Sequence, residues 1–139
     1  CVAPQGCNLT SNVCCADTGG FFAKYSCIAK SQQCSNASTS ARFGCVQKSD
    51  CPGDEVCCLQ ADQTAMTAGS VCMDVSDAGG KCSPATTTTH GSAQLCQTNQ
   101  ECKSGGGCCI WQDCTVMGNP LQFTMCGLQS TSVLTCTRH

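Results

Sequence analysis

Cys45-Val-Gln-Lys-Ser-Asp-Cys51-Pro-Gly-Asp-Glu-Val-Cys57-Cys58 decides how the rest of the chain is read. Two cysteines separated by five residues are followed, after five more, by a vicinal pair. Near-copies flank it. The three series are Cys1, Cys7, Cys14, Cys15, Cys27, Cys34, then Cys45, Cys51, Cys57, Cys58, Cys72, Cys82, then Cys96, Cys102, Cys108, Cys109, Cys126, Cys136. One order repeated three times, always with five residues between its first two cysteines, marks a tandem repeat.

This spacing divides the chain into a first cysteine-rich repeat over 1–34, a linker over 35–44, a second repeat over 45–82, a Thr-rich linker over 83–95 and a third repeat over 96–139. Both intervening stretches consist mainly of small polar residues without hydrophobic periodicity, and read as tethers or extended surface segments. Inside the repeats, Val71-Cys-Met-Asp-Val75 alternates apolar and polar, and Asp77-Ala-Gly-Gly80 supplies turn residues. Met125-Cys-Gly-Leu128 and Val133-Leu-Thr-Cys136 flank a polar turn in the same way. The expected fold is small and disulfide-rich, mostly β and loop, with three tandem modules of short β-hairpins and little or no helix.

Nineteen cysteines in 139 residues exceed the roughly 8–10% at which a short chain reads as a disulfide scaffold. Zinc sites draw on C-x-x-C pairs, and none occurs. Disulfides at this density place the protein outside the reducing cytosol, secreted or at a cell surface. One Trp, one Tyr, four Phe and four Met offer little core, so cross-links must replace it. Charged residues make up 12% with a net charge of −2, which excludes a nucleic-acid footprint. No apolar run has the length of a membrane span. The chain begins at Cys1 with no initiator Met or signal segment and reads as a mature, processed form.

No catalytic or cofactor constellation stands out. His90 lies in the Thr-rich stretch and His139 is the last residue, poor settings for a rigid base. Asp54 and Glu55 are adjacent and on a strand would face opposite sides. Gly105-Gly-Gly107 lacks the Lys-Ser/Thr and helix of a phosphate loop. A non-enzyme without cofactor or metal is expected. Asn8 and Asn36 carry the N-glycosylation acceptor pattern, and Thr86, Thr87, Thr88 and Thr89 form a run suited to O-linked sugar or to a β-prone tether.

The order C…C…CC…C…C resembles the inhibitor cystine knot (knottin) framework. That resemblance implies Cys1–Cys15, Cys7–Cys27 and Cys14–Cys34 in the first repeat, Cys45–Cys58, Cys51–Cys72 and Cys57–Cys82 in the second, and Cys96–Cys109, Cys102–Cys126 and Cys108–Cys136 in the third. Residues 45–58 also resemble the colipase-type half-domains of dickkopf proteins, which place an acidic residue before the second cysteine. Asp50 and Glu101 match it, where the first repeat has Gly6, and are read as turn-capping acids. Spacing by itself leaves the pairing open.

Eighteen cysteines fill three repeats, leaving Cys114 over as a candidate for an intermolecular bridge. Its loop holds Trp111, Val116, Met117, Leu121 and Phe123, read either as a local mini-core or as an interface patch. Formal charge runs from +2 over 1–44 to −4 over 45–95 and zero over 96–139, which suits head-to-tail stacking of copies. Two functions are expected from these features. The first is a disulfide-hardened structural subunit of an extracellular filament, sheath, coat or matrix that assembles with itself. The alternative is a secreted multi-headed binding module for a protein or glycan ligand, such as an inhibitor or toxin-like ligand.

Overall fold

In the computed structural model, residues 7–17, 24–35, 40–76, 80–82, 87–102, 109–116, 119–127 and 133–139 are described. The described residues form nine strands: β1 Asn12–Asp17, β2 Lys24–Ala29, β3 Ser40–Phe43, β4 Val56–Asp62, β5 Thr67–Met73, β6 His90–Gln94, β7 Cys109–Val116, β8 Asn119–Cys126 and β9 Leu134–Arg138. The only helical elements among the described residues are two 3-10 turns, Lys48–Asp50 and Asn99–Glu101. This is a disulfide-rich β fold with a six-stranded sheet, β2-β1-β3-β5-β4-β6, and a three-stranded sheet, β8-β7-β9.

Each repeat builds the same antiparallel trio. A hairpin (β1–β2, β4–β5, β7–β8) receives a third strand (β3, β6, β9) on the free side of its first strand. The stretches read as linkers therefore contribute β3 and β6, with alternating burial: Ala41, Phe43, Gly91 and Ala93 face inward.

The third strands also join the units. β3 runs antiparallel to β1 and parallel to β5, with Arg42 beside Gly69 and Phe43 beside Ser70. A Cβ at Gly69 would collide with the Arg42 carbonyl, so this approach requires glycine. Ser70 is buried, and its hydroxyl donates to the Cys45 carbonyl while accepting the Cys45 N–H at 3.3 Å. At the second joint, Leu95 bridges to Met125 and the Cys96 N–H donates to the Thr124 carbonyl at 3.0 Å.

The two turn acids act on backbone N–H groups. Asp50 Oδ2 accepts from Val46 (2.8 Å) and Gln47 (3.2 Å), and Glu101 Oε1 accepts from Gln97 (3.2 Å) and Thr98 (3.0 Å). The second Glu101 oxygen accepts from the Lys48 N–H at 3.1 Å, tying the turn of the third unit to that of the second.

The cysteine pairing departs from the one the knottin resemblance implies. The structure contains Cys7–Cys27, Cys51–Cys72 and Cys102–Cys126, second to fifth in each unit. Cys45, however, bonds Cys57 and Cys58 bonds Cys82, replacing Cys45–Cys58 and Cys57–Cys82. Likewise Cys15 bonds Cys34, which excludes both Cys1–Cys15 and Cys14–Cys34. The reason lies in the strand. Adjacent residues point to opposite faces, so Cys57 joins the core beside Cys45 while Cys58 turns toward the loop that carries Cys82. Cys14 is disulfide-bonded as well, and Cys1 and Cys108 lie outside the described residues.

The third unit shifts this scheme. Cys109 stands opposite Cys126 as Cys57 stands opposite Cys72 and Cys14 opposite Cys27, and it bonds Cys96. Ile110 then occupies the place held by Cys15 and Cys58. Four residues on, and on the same strand face, Cys114 bonds Cys136 directly across β7 and β9. Cys114 is therefore neither unpaired nor an intermolecular bridge, and Cys108–Cys136 is excluded.

One core gathers side chains from all three units, including Cys14 and Phe43, Cys57 and Leu59, and Val116, Leu121, Phe123 and Leu134. The Phe43 and Phe123 rings meet at 5.6 Å. Each large apolar side chain buried here contributes about 1.5–3 kcal/mol. Gln112 is fully buried and donates to the Gly127 carbonyl at 2.7 Å.

Candidate functional site: a cleft between the first and third units

Burial alternates along β7, with Gln112, Cys114 and Val116 facing the core and Trp111, Asp113 and Thr115 exposed. In the first two units the core face instead carries the third cysteine, Cys14 or Cys57. A one-residue change of phase reverses every side chain of a strand, and here it turns a polar and aromatic row outward.

Register assembles that row across the sheet. Asp113 lies opposite Gln122 on β8 and Thr137 on β9, and Thr115 lies opposite Pro120 and Thr135. Asp113 Oδ1 accepts from Gln122 Nε2 at 2.7 Å, and Oδ2 meets His139 Nδ1 at 2.8 Å. Its bond with His139, then that with Gln122, holds the Asp113 carboxyl below the usual carboxylate range. The His139 ring stacks on Trp111 with centroids 4.7 Å apart, and Trp111 is 50% exposed.

Over this face stands Tyr25 of β2, the edge strand of the six-stranded sheet, 38% exposed. Tyr25, Asp113, Thr115, Pro120, Gln122 and Thr137 line a cleft of about 520 Å³. Among the described residues neither Lys nor Arg lines it. The cleft has the volume of a small-ligand site. It also brings together the free hairpin strand of the first unit and the last strand of the third.

The residues singled out from the sequence are placed differently. Val116, Leu121 and Phe123 are core residues, so they form no exposed interface patch; Trp111 is exposed, and Met117 lies outside the described residues. Asn8 is exposed, with Oδ1 accepting the Thr10 N–H at 3.0 Å; Asn36 and Thr86 lie outside the described residues. The Thr87 hydroxyl accepts from the Thr89 and His90 N–H groups in the turn entering β6, Thr88 is exposed and Thr89 is half-buried. His90 is fixed rather than tethered, its Nε2 lying 3.0 Å from Asp62 Oδ2. The sulfurs of Cys45, Cys51 and Cys72, and those of Cys96, Cys102 and Cys109, cluster within 4.8 Å. All six are in disulfides and offer no thiolate ligand.

Tyr25, Asp113 and Gln122 went unnoticed in the sequence. The alternation of 110–116 carries a signal for Asp113, whereas the approach of Tyr25 depends on how the units close on one another.

No protein-family model matches this chain, nor does any curated protein or solved structure. Among the described residues no helix is long and apolar enough to cross a membrane. The disulfide content fits an oxidising compartment.

Proposed function

We propose that this chain is a secreted, disulfide-hardened binding module whose ligand site is the cleft between its first and third units. The observation that carries this reading is that Tyr25 and Thr137 line one cleft. A head-to-tail series builds an open filament only when its two ends face away from each other, and closes when they meet. The structural-subunit reading needs the β2 and β9 edges to be available to other copies. Here the two strands converge on one cleft within a single chain, which favours a closed monomer with a seam. The bridges then serve to hold that seam rigid outside the cell, where a small core alone would not.

Light scattering with electron microscopy of the oxidised protein tests this. A monodisperse monomer over a wide concentration range is expected; ordered polymers would return the structural subunit to first place.

A further inference from the structure

Resting on that reading, we infer that the cleft binds a neutral glycan. A pyranose ring presents C–H faces that pack on an aromatic ring and a rim of hydroxyls that need hydrogen-bond partners. The cleft supplies both. Tyr25 offers a partly exposed ring within it, and Trp111 extends the same face of β7 two residues from Asp113. The polar lining consists of one carboxylate, one amide and the hydroxyls of Thr115, Thr137 and Tyr25.

Asp113 is the central acceptor. Gln122 and His139 each engage one of its oxygens, and a carboxylate oxygen has a further lone-pair direction for another donor. Two neighbouring hydroxyls of a sugar match that pair of acceptors. Because Asp113 is already held from two sides, it loses little side-chain freedom when a ligand arrives. The Gln122 amide is oriented by the same bond.

The charge pattern narrows the class. An anionic ligand, whether phosphate, sulfated glycan or nucleic acid, calls for Lys or Arg, and among the described residues neither lines the cleft. A cationic peptide would use Asp113, but among the described residues this is the only carboxylate in the lining and it already faces His139. A neutral polyol with an apolar face uses the acceptors, the amide and the aromatic ring of this lining together.

The only tryptophan of the chain provides the readout. Its fluorescence is followed while the oxidised full chain is titrated with four neutral hexasaccharides: β-1,4-glucan, β-1,4-xylan, chitin-type N-acetylglucosamine and α-1,4-glucan. Saturable binding of at least one is expected, insensitive to added salt. Tyr25→Ala and Asp113→Ala should each weaken it about tenfold or more, and Tyr25→Phe should keep most of it. Asp113→Asn, which retains one acceptor oxygen, should fall between. Far-UV circular dichroism on every variant separates loss of binding from loss of fold.

Failure of all four sugars to bind would overturn the glycan assignment. So would salt-sensitive binding of a Lys-rich peptide lost in Tyr25→Ala, although the cleft would then still be a ligand site. Failure of the binding-module reading itself would appear separately, as polymers in the light-scattering experiment.

Discussion

Cys114 and Cys136 face each other across β7 and β9 with Cα atoms 4.0 Å apart, both side chains buried in the common core. Replacing both with Ala removes a cross-link spanning 22 residues and should cost about 2–4 kcal/mol. Urea unfolding measures the loss, and non-reducing electrophoresis should show a monomer before and after; a dimer that disappears in the double variant would mean that Cys114 bridges chains. The turn acids at Asp50 and Glu101 were legible as caps, because a short acid three or four residues after a chain reversal reaches back to free N–H groups. The vicinal pairs were not. Spacing is blind to strand phase, and phase alone decides whether Cys57 or Cys58 faces Cys45. For the same reason Cys114 looked surplus: its place on the core face of β7 follows from the burial of Gln112 and Val116, which no count of cysteines contains.

Strands β3 and β6 each belong to two units at once, closing one hairpin and touching the next. Gly69→Ala should strain the first joint by about 1–3 kcal/mol, since the new Cβ meets Arg42 backbone rather than a side chain that could yield. Faster amide exchange at Gly44, which donates to the Ser70 carbonyl at 2.9 Å, with β7 unaffected, is the expected signature. The β4–β5 turn and β6 are tied together by Asp62, which accepts from Thr64 (2.8 Å) and Ala65 (3.0 Å) and pairs with His90. Its carboxyl is held below the usual range, chiefly by the Ala65 N–H. A carboxyl depressed on folding stabilises above its unfolded value and loses that contribution as pH falls through the folded one. Asp62→Ala should therefore lower Tm near neutral pH, with the difference vanishing once acid has protonated the wild-type carboxyl; an equal difference at every pH would refute the assignment. Alternation marked strands near Val71 and Met125 but not their partners: the hairpins expected with turns at 77–80 and 129–132 do not form, because β5 pairs with β4, and both β8 and β9 pair with β7. β3 and β6 were not legible, because Ser-Ala-Arg-Phe and His-Gly-Ser-Ala-Gln are too short and mixed to declare a strand until a neighbouring edge recruits them.

Every bridge whose two cysteines are described stays inside one unit, and among the described residues the contacts between units are non-covalent strand contacts. The repeat was plain in the sequence, but the convergence of the first and third units was invisible to it, because it depends on angles accumulated over two joints. One feature of the second unit has a mechanical meaning. A pulling force that enters at Cys45 crosses to Cys57, passes one peptide bond to Cys58, and leaves through Cys82. The vicinal pair is a short circuit for tension, shielding the 34 residues of 46–56 and 59–81. Stretched from its ends, the oxidised chain should yield at its joints, each freed residue adding about 3.3–3.6 Å, while the two bridged loops between Cys45 and Cys82 stay shut. Adding a reductant under constant force should release the second unit in a discrete step. On that expectation the stretch Cys45–Cys58 would work as a clasp under tension, opened by the redox state of its surroundings.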